Sequence, residues 1–208
     1  MKQILLEALP QFLKKISESA AVYAPVEQAG QVDFGLWDGT EEIRLDVLKT
    51  VKSAKGVFFP QVEDMVKFHM QGKKIDIKPA ELMDEDFVVF GVRACDARSF
   101  ELLDRVFLSD PADPYYAARR AHGVVMTLAC NEPEESCFCS NFGIDAADPA
   151  GDVTCWMAGD RLLMRSNTEK GEEARVFVAF SYSKSNYSSD YLVSKGKFPY
   201  KLQNSRYR

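Results

Sequence analysis

The sequence predicts an α/β fold: a small mixed sheet with at least one parallel βαβ unit, flanking helices, an irregular cysteine-bearing loop, a C-terminal hairpin and a tail of different composition. Three observations predict it. Phe87-Val88-Val89-Phe90-Gly91-Val92 and Gly123-Val124-Val125-Met126-Thr127-Leu128-Ala129 are continuous apolar runs, as in strands buried on both faces, and a helical stripe lies between them. Val153–Met157 and Arg161–Met164 flank Ala158-Gly159-Asp160, the pattern of a β-hairpin. Composition then changes abruptly: residues 1–173 carry a net charge of −11, whereas from Ala174 onward seven basic residues face Asp190 alone, a net +6.

Taken in order, residues 2–17 read as a helix with Leu5, Leu9, Leu13 and Ile16 on one face and Pro10 expected to kink it. Val22–Ala24 and Val32–Trp37, separated by Pro25 and Gly30, suggest a hairpin. Val57–Phe59 reads as a short strand closed by Pro60, and residues 61–70 carry Val62, Met65, Val66 and Phe68 at helical spacing up to Gly72. After the first buried run, Phe100, Leu103, Val106 and Phe107 form an apolar helical stripe. Two strands joined through a helix fit a right-handed parallel crossover. In such sheets, sites form beyond the carboxyl ends of the strands, where Cys95 and Cys130 both fall. Residues 1–173 therefore form the expected domain. Residues 174–208 form a basic, Tyr- and Ser-rich tail, with β character only at Val176–Phe180, that is not expected to join the core.

Composition narrows the function. With 46% hydrophobic residues over 208 positions, a real core is expected. A net charge of −5 argues against nucleic acid or anionic membrane as the main partner. No apolar run is long enough to span a bilayer, and Glu7 and Pro10 interrupt the N-terminal one, so cytoplasmic residence is expected. No Gly-rich phosphate loop occurs, so no nucleotide site is expected.

The five cysteines are Cys95, Cys130, Cys137, Cys139 and Cys155. An odd number in a reducing compartment points away from a disulfide framework and leaves metal ligation, redox chemistry or plain burial. Cys137-Phe138-Cys139 follows a loop of Glu132, Pro133, Glu134, Glu135 and Ser136, and two thiols at that spacing can converge on one metal. A loop returning over the sheet edge could bring them to Cys95 and Cys130 as four soft thiolates, which suit iron–sulfur clusters and structural zinc alike. Burial of each Cys as a small hydrophobe remains open on these grounds.

Gly91-Val92-Arg93-Ala94-Cys95-Asp96-Ala97-Arg98, continuing Phe100-Glu101-Leu102-Leu103-Asp104-Arg105-Val106-Phe107, resembles the signature of the anaerobic sulfite reductase A-subunit and sulfhydrogenase β-subunit family. Tyr23-Ala24-Pro25-Val26, Phe58-Phe59-Pro60-Gln61, Asp113-Pro114-Tyr115-Tyr116-Ala117-Ala118-Arg119-Arg120 and Cys137-Phe138-Cys139-Ser140 match as well. The resemblance covers roughly residues 1–173 and implies an electron-transfer subunit of a cytoplasmic multi-subunit oxidoreductase of anaerobic metabolism, not catalytic alone. It implies one 4Fe-4S cluster on Cys95, Cys130, Cys137 and Cys139, relaying electrons between a flavin-containing subunit and a reductase or hydrogenase subunit. This chain departs from the pattern in having Ala94 where the family usually has Pro, and fewer glycines after the Cys-Phe-Cys word. The family also typically continues into a ferredoxin-like domain with two cubane clusters, where this chain has its basic tail, so it reads as a truncated or frame-shifted member.

Other residues have plainer roles. Cys155 is expected to pack, and Asp96 to cap the helix N-terminus. Arg93 and Arg98 would either place positive charge near a cluster or form surface ion pairs. His69, expected in a helix, and His122, before a strand, lack spacing partners. Arg119-Arg120 suits a helix C-terminus, and Tyr115 and Tyr116 suit packing. Two rivals to electron relay are a structural zinc module with four cysteine ligands and a thiol-redox enzyme using Cys137 and Cys139. A non-functional truncated family member is the third.

Overall fold

The computed structural model describes residues 1–173. The expected strand at Val176–Phe180 and the tail from 174 to 208 lie outside the described residues. The central strands are β2 (Ala21–Gln28), β6 (Phe87–Val92), β7 (Gly123–Leu128) and β8 (Val153–Ala158), which run parallel to one another. Antiparallel strands extend both sides: β3 (Gln31–Leu36) beside β2, and β9 (Arg161–Ser166) then β1 (Lys2–Leu5) beyond β8. The sheet order is β1-β9-β8-β7-β6-β2-β3. The mixed α/β class, the parallel crossover and both predicted hairpins are present.

Two apolar layers sandwich this sheet. Side chains of Val22, Val88, Phe90, Met126, Leu128 and Met164 pack with Leu9, Phe12, Leu13 and Ile16 of helix α1 (Leu9–Ser17). The opposite face of Phe87, Val89, Val92 and Val125 packs with Phe58 of α2 (Lys55–Phe58), Ala97 and Phe100 of α3 (Ala94–Phe107) and Tyr116 of α4 (Pro114–His122). Because both faces are covered, β6 and β7 are buried at every position, which is why they read as unbroken apolar runs.

Several expectations fail for identifiable reasons. Residues 2–5 are a strand, with Ile4 opposite Leu162, rather than the first turn of a helix. Leu6–Ala8 form a 3-10 turn, and Pro10 sits in the first turn of α1, where its missing N–H costs nothing, so it does not act as a kink. Val57 and Phe58 belong to α2, not a strand, because Phe58 must reach the core below Gly123. Residues 66–71 form strand β4 (Val66–Gln71), paired with β5 (Lys74–Pro79) in a separate two-stranded sheet, so His69 is on a strand. Val66, Phe68 and Met70 alternate at period two, a pattern that Val62 and Met65 disguised as helical. In α3, Phe100 is buried and Leu103 and Phe107 pack beside it, but Val106 is exposed.

A polar knot pins α3 to α4. Arg120 donates to both oxygens of Asp104, each at 2.8 Å, and the Tyr116 hydroxyl donates to the same carboxylate at 2.7 Å. The Arg120 guanidinium also lies over the Phe58 and Phe100 rings at 5.3 and 5.7 Å. Burial alone would push the Asp104 carboxyl up, but the hydrogen bonds from Arg120 and Tyr116 outweigh it and hold it below its ordinary value. Burial and the Asp104 carboxylate both push the Tyr116 hydroxyl upward.

Since its folded pKa is depressed, ionised Asp104 contributes stability that is present above the ordinary carboxylate pKa and is lost as pH falls through the folded value. Asp104→Asn should therefore lower stability at neutral pH by about 1–3 kcal/mol and flatten the decline on acidification. Urea unfolding at neutral and acid pH checks both, and an undiminished acid sensitivity in the variant would assign it to other carboxylates.

Candidate metal centre

The site is built where β6 and β7 end. Gly91, with φ +87°, is an extra residue in β6: Phe90 pairs with Met126, yet Val92 pairs with Thr127. This bulge returns Val92 to the face covered by α2, α3 and α4. A Cβ on Gly91 would lie 3.1 Å from the Pro25 ring, so both the backbone angle and the close approach require glycine.

Arg93 is buried, and its guanidinium donates to three main-chain carbonyls: Leu45 at 2.6 Å, Val47 at 3.1 Å and Ala129 at 3.3 Å. Its positive charge also acts on the Cys130 thiol, opposing the effect of burial there. These bonds fasten the segment around residues 45–47 and the exit of β7 to the end of β6. The sequence left Arg93 between a site charge and a surface ion pair. Burial excludes the second role, and nothing in the local pattern could reveal carbonyl partners some 36 to 48 residues distant. Arg98 takes the bland role, pairing with Glu101 on its own helix.

Cys95 is the second residue of α3, and Cys130 lies two residues beyond β7. The peptide N–H of Cys130 donates to Ala146 O at 2.9 Å, closing the base of the loop that carries Cys137 and Cys139. Within it the Cys137 N–H donates to Glu134 O at 3.0 Å, and Glu134 N–H points at the Cys137 sulfur at 3.3 Å. Cys139 opens a 3-10 turn, Cys139–Phe142, that ends at Gly143 with φ +62°. Lys49 reaches across from the 45–50 segment to bond Ser136 and pair with Glu134 at 3.2 Å.

Each of the four predicted thiols lies within electrostatic range of at least one other: Cys95 of Cys139, and Cys130 of Cys95 and Cys137. Burial pushes Cys95 up, helped by the Asp96 carboxylate and by Cys139. Burial raises Cys130 most, with Cys95 and Cys137 adding to it and Arg93 opposing. Burial, Cys130 and Cys137 raise Cys139. These raised thiols are protonated at neutral pH, the opposite of what a redox nucleophile at Cys139 requires. Metal or cluster binding would displace those protons.

The fifth cysteine stands apart: Cys155 is fully buried on β8 among core side chains, as expected. Asp96 does not cap α3; Arg93 occupies that position, and Asp96 pairs with Lys55 at 3.7 Å. Arg119 pairs with Glu63 and Arg120 with Asp104, so neither guanidinium of that pair is free for an anionic cofactor. Tyr116 is buried as expected, while Tyr115 donates to Met65 O at 3.1 Å. His122 pairs with Asp86 at 2.9 Å.

The donor set fits a thiolate-bound cluster in kind: soft sulfur, four in number, near a buried cation. Among the described residues, however, no three His, Cys, Asp or Glu side chains gather tightly enough to hold a single metal ion. That weighs most against tetrahedral zinc, whose ligands must all lie about 2.3 Å from one point.

Comparison with known proteins gives one strong likeness. The sulfhydrogenase 2 subunit beta of Pyrococcus furiosus is 32% identical over 167 residues, which is 80% of this chain and 48% of that protein. The chain thus spans about half the length of the curated relative it matches. No family model and no solved structure matches it. No described helix is long and apolar enough to cross a membrane.

Replacing Arg93 with Leu leaves the carbonyls of Leu45, Val47 and Ala129 without their donor. A loss of about 3 kcal/mol in urea unfolding is expected, with Arg93→Lys recovering part. A loss below about 0.5 kcal/mol, the scale of a surface change, would show that the carbonyls find other partners.

Proposed function

The chain belongs to the sulfhydrogenase beta-subunit family, matching its N-terminal portion, and from that premise we propose that residues 1–173 are an electron-relay domain binding one 4Fe-4S cluster through Cys95, Cys130, Cys137 and Cys139. The observation that supports this reading is the position of Cys95 and Cys130 just beyond the ends of β6 and β7, beside a buried guanidinium that donates to main-chain carbonyls, with Cys137 and Cys139 on the loop that the Cys130–Ala146 bond closes. The Asp46 carboxylate lies within electrostatic range of Arg93, and a further anion held directly against the buried guanidinium would favour it more. Four thiolates and their cluster would supply that anion.

Each residue then has a defined part. Cys95 and Cys130 are held by the ends of β6–α3 and β7, and binding would draw Cys137 and Cys139 to them from the closed loop. Arg93 donates toward Cys130, and a hydrogen bond and positive charge at a ligating sulfur raise a cluster's potential. A bound cluster supplies one-electron transfer, and the protein carries out no substrate chemistry of its own. We assign the partners as a flavin-containing electron-transfer subunit on one side and a hydrogenase or sulfur- or sulfite-reductase subunit on the other, in the cytoplasm.

Iron and acid-labile sulfide analysis of protein purified anaerobically tests the ligand set. Cys137→Ser and Cys139→Ser should each lose most of both elements, whereas Cys155→Ser should keep them, since that thiol lies within the core. Equal losses at Cys155 and Cys139 would overturn the assignment. Colourless protein containing zinc would favour the structural zinc site with four cysteine ligands.

A further inference from the structure

The β4–β5 ribbon segregates its side chains completely. Cross-strand partners point to the same side of a sheet, so the pairs Val66–Pro79, Phe68–Ile77 and Met70–Ile75 make one face wholly apolar. Lys67–Lys78, His69–Asp76 and Gln71–Lys74 make the other face wholly polar. Every residue of both strands is exposed; Phe68 is 73% exposed and Ile77 66%. A lone two-stranded ribbon is at best marginally stable in water, and an uncovered apolar face of this kind marks a contact surface. The ribbon is also held in place: Tyr115 donates to Met65 O at its root, and Lys67 pairs with Glu81 at 3.6 Å.

Charge identifies what covers it. Over residues 66–79 Lys67, Lys73, Lys74 and Lys78 face Asp76 alone, a net +3, although residues 1–173 as a whole carry −11. A second copy pairing symmetrically would bring two +3 ribbons together, and a copy docking its acidic body on the ribbon would make a head-to-tail contact that need not close. The 174–208 segment, at +6, has the same sign as the ribbon. We propose that the β4–β5 ribbon is a docking arm that lays its apolar face on a different polypeptide, one whose apolar contact surface is bordered by carboxylates. Phe68 and Ile77 would lie at the centre of that contact, and Lys73 and Lys74 at the tip would meet the acidic border. This inference stands independently of the cluster, since no cysteine takes part in it.

A photoreactive benzophenone side chain placed at position 68 of the full chain, in its source cells, provides the test. The expected product is a cross-link to a different chain, at an apolar residue flanked by Asp or Glu. Its yield should fall about tenfold in Lys73→Glu/Lys74→Glu and in Ile77→Ser, because removal of rim charge slows association and removal of the apolar anchor weakens it. These positions are exposed, so an unchanged thermal transition confirms that the variants remain folded. A cross-link to a second copy or to residues 174–208, no cross-link, or a yield indifferent to charge reversal would each overturn the proposal.

Discussion

The Arg93 guanidinium ties the end of β6 to the chain segments packed around it. Its three carbonyl bonds join the end of β6, the 45–47 segment and the exit of β7, and its charge acts on the Cys130 thiol. A bulge shapes that end of β6. Had Gly91 followed the regular alternation of β6, Val92 would have faced α1 rather than packing with Val89 and Phe100. A left-handed residue in a buried strand thus sets which face the end of β6 presents to each layer.

The parallel centre of the sheet supports that arrangement. Strands β6 and β7 are buried on both faces, so the positions of their ends are fixed by packing throughout the core. The α3–α4 knot of Asp104, Arg120 and Tyr116 holds the helix whose first turn carries Cys95. By contrast, Cys137 and Cys139 depend on a few contacts of their loop: the 3-10 turn, the Cys130–Ala146 closure and the Lys49 bridge from the 45–50 segment. Cys95 and Cys130 thus sit at the ends of packed elements, and Cys137 and Cys139 on a tethered loop.

The parts of the fold that the sequence discloses are those whose environment is uniform. Phe87–Val92 and Gly123–Leu128 are buried throughout and read as strands; Val153–Ala158 and Arg161–Ser166 bracket a Gly turn and read as a hairpin. Misreadings cluster where tertiary pairing overrides a local pattern. Residues 2–5 become a strand only because β9 offers an edge, and Phe58 turns helical to fill space that Gly123 leaves, where a Cβ would come within 2.4 Å. The four thiols were legible as candidates from position and from family likeness. The role of Arg93 was not, because its partners are distant in sequence and are backbone atoms, which carry no sequence signal. Nor was the charge and apolar segregation of the β4–β5 ribbon, since Val62 and Met65 outside it blurred the period of two.

X-ray absorption at the iron edge of anaerobically purified protein tests the central claim most directly. The account predicts iron surrounded by sulfur alone, with a second shell of iron neighbours that disappears in Cys139→Ser. Iron bound to nitrogen or oxygen, an isolated iron with no iron neighbour, or a spectrum unchanged by Cys139→Ser would contradict it.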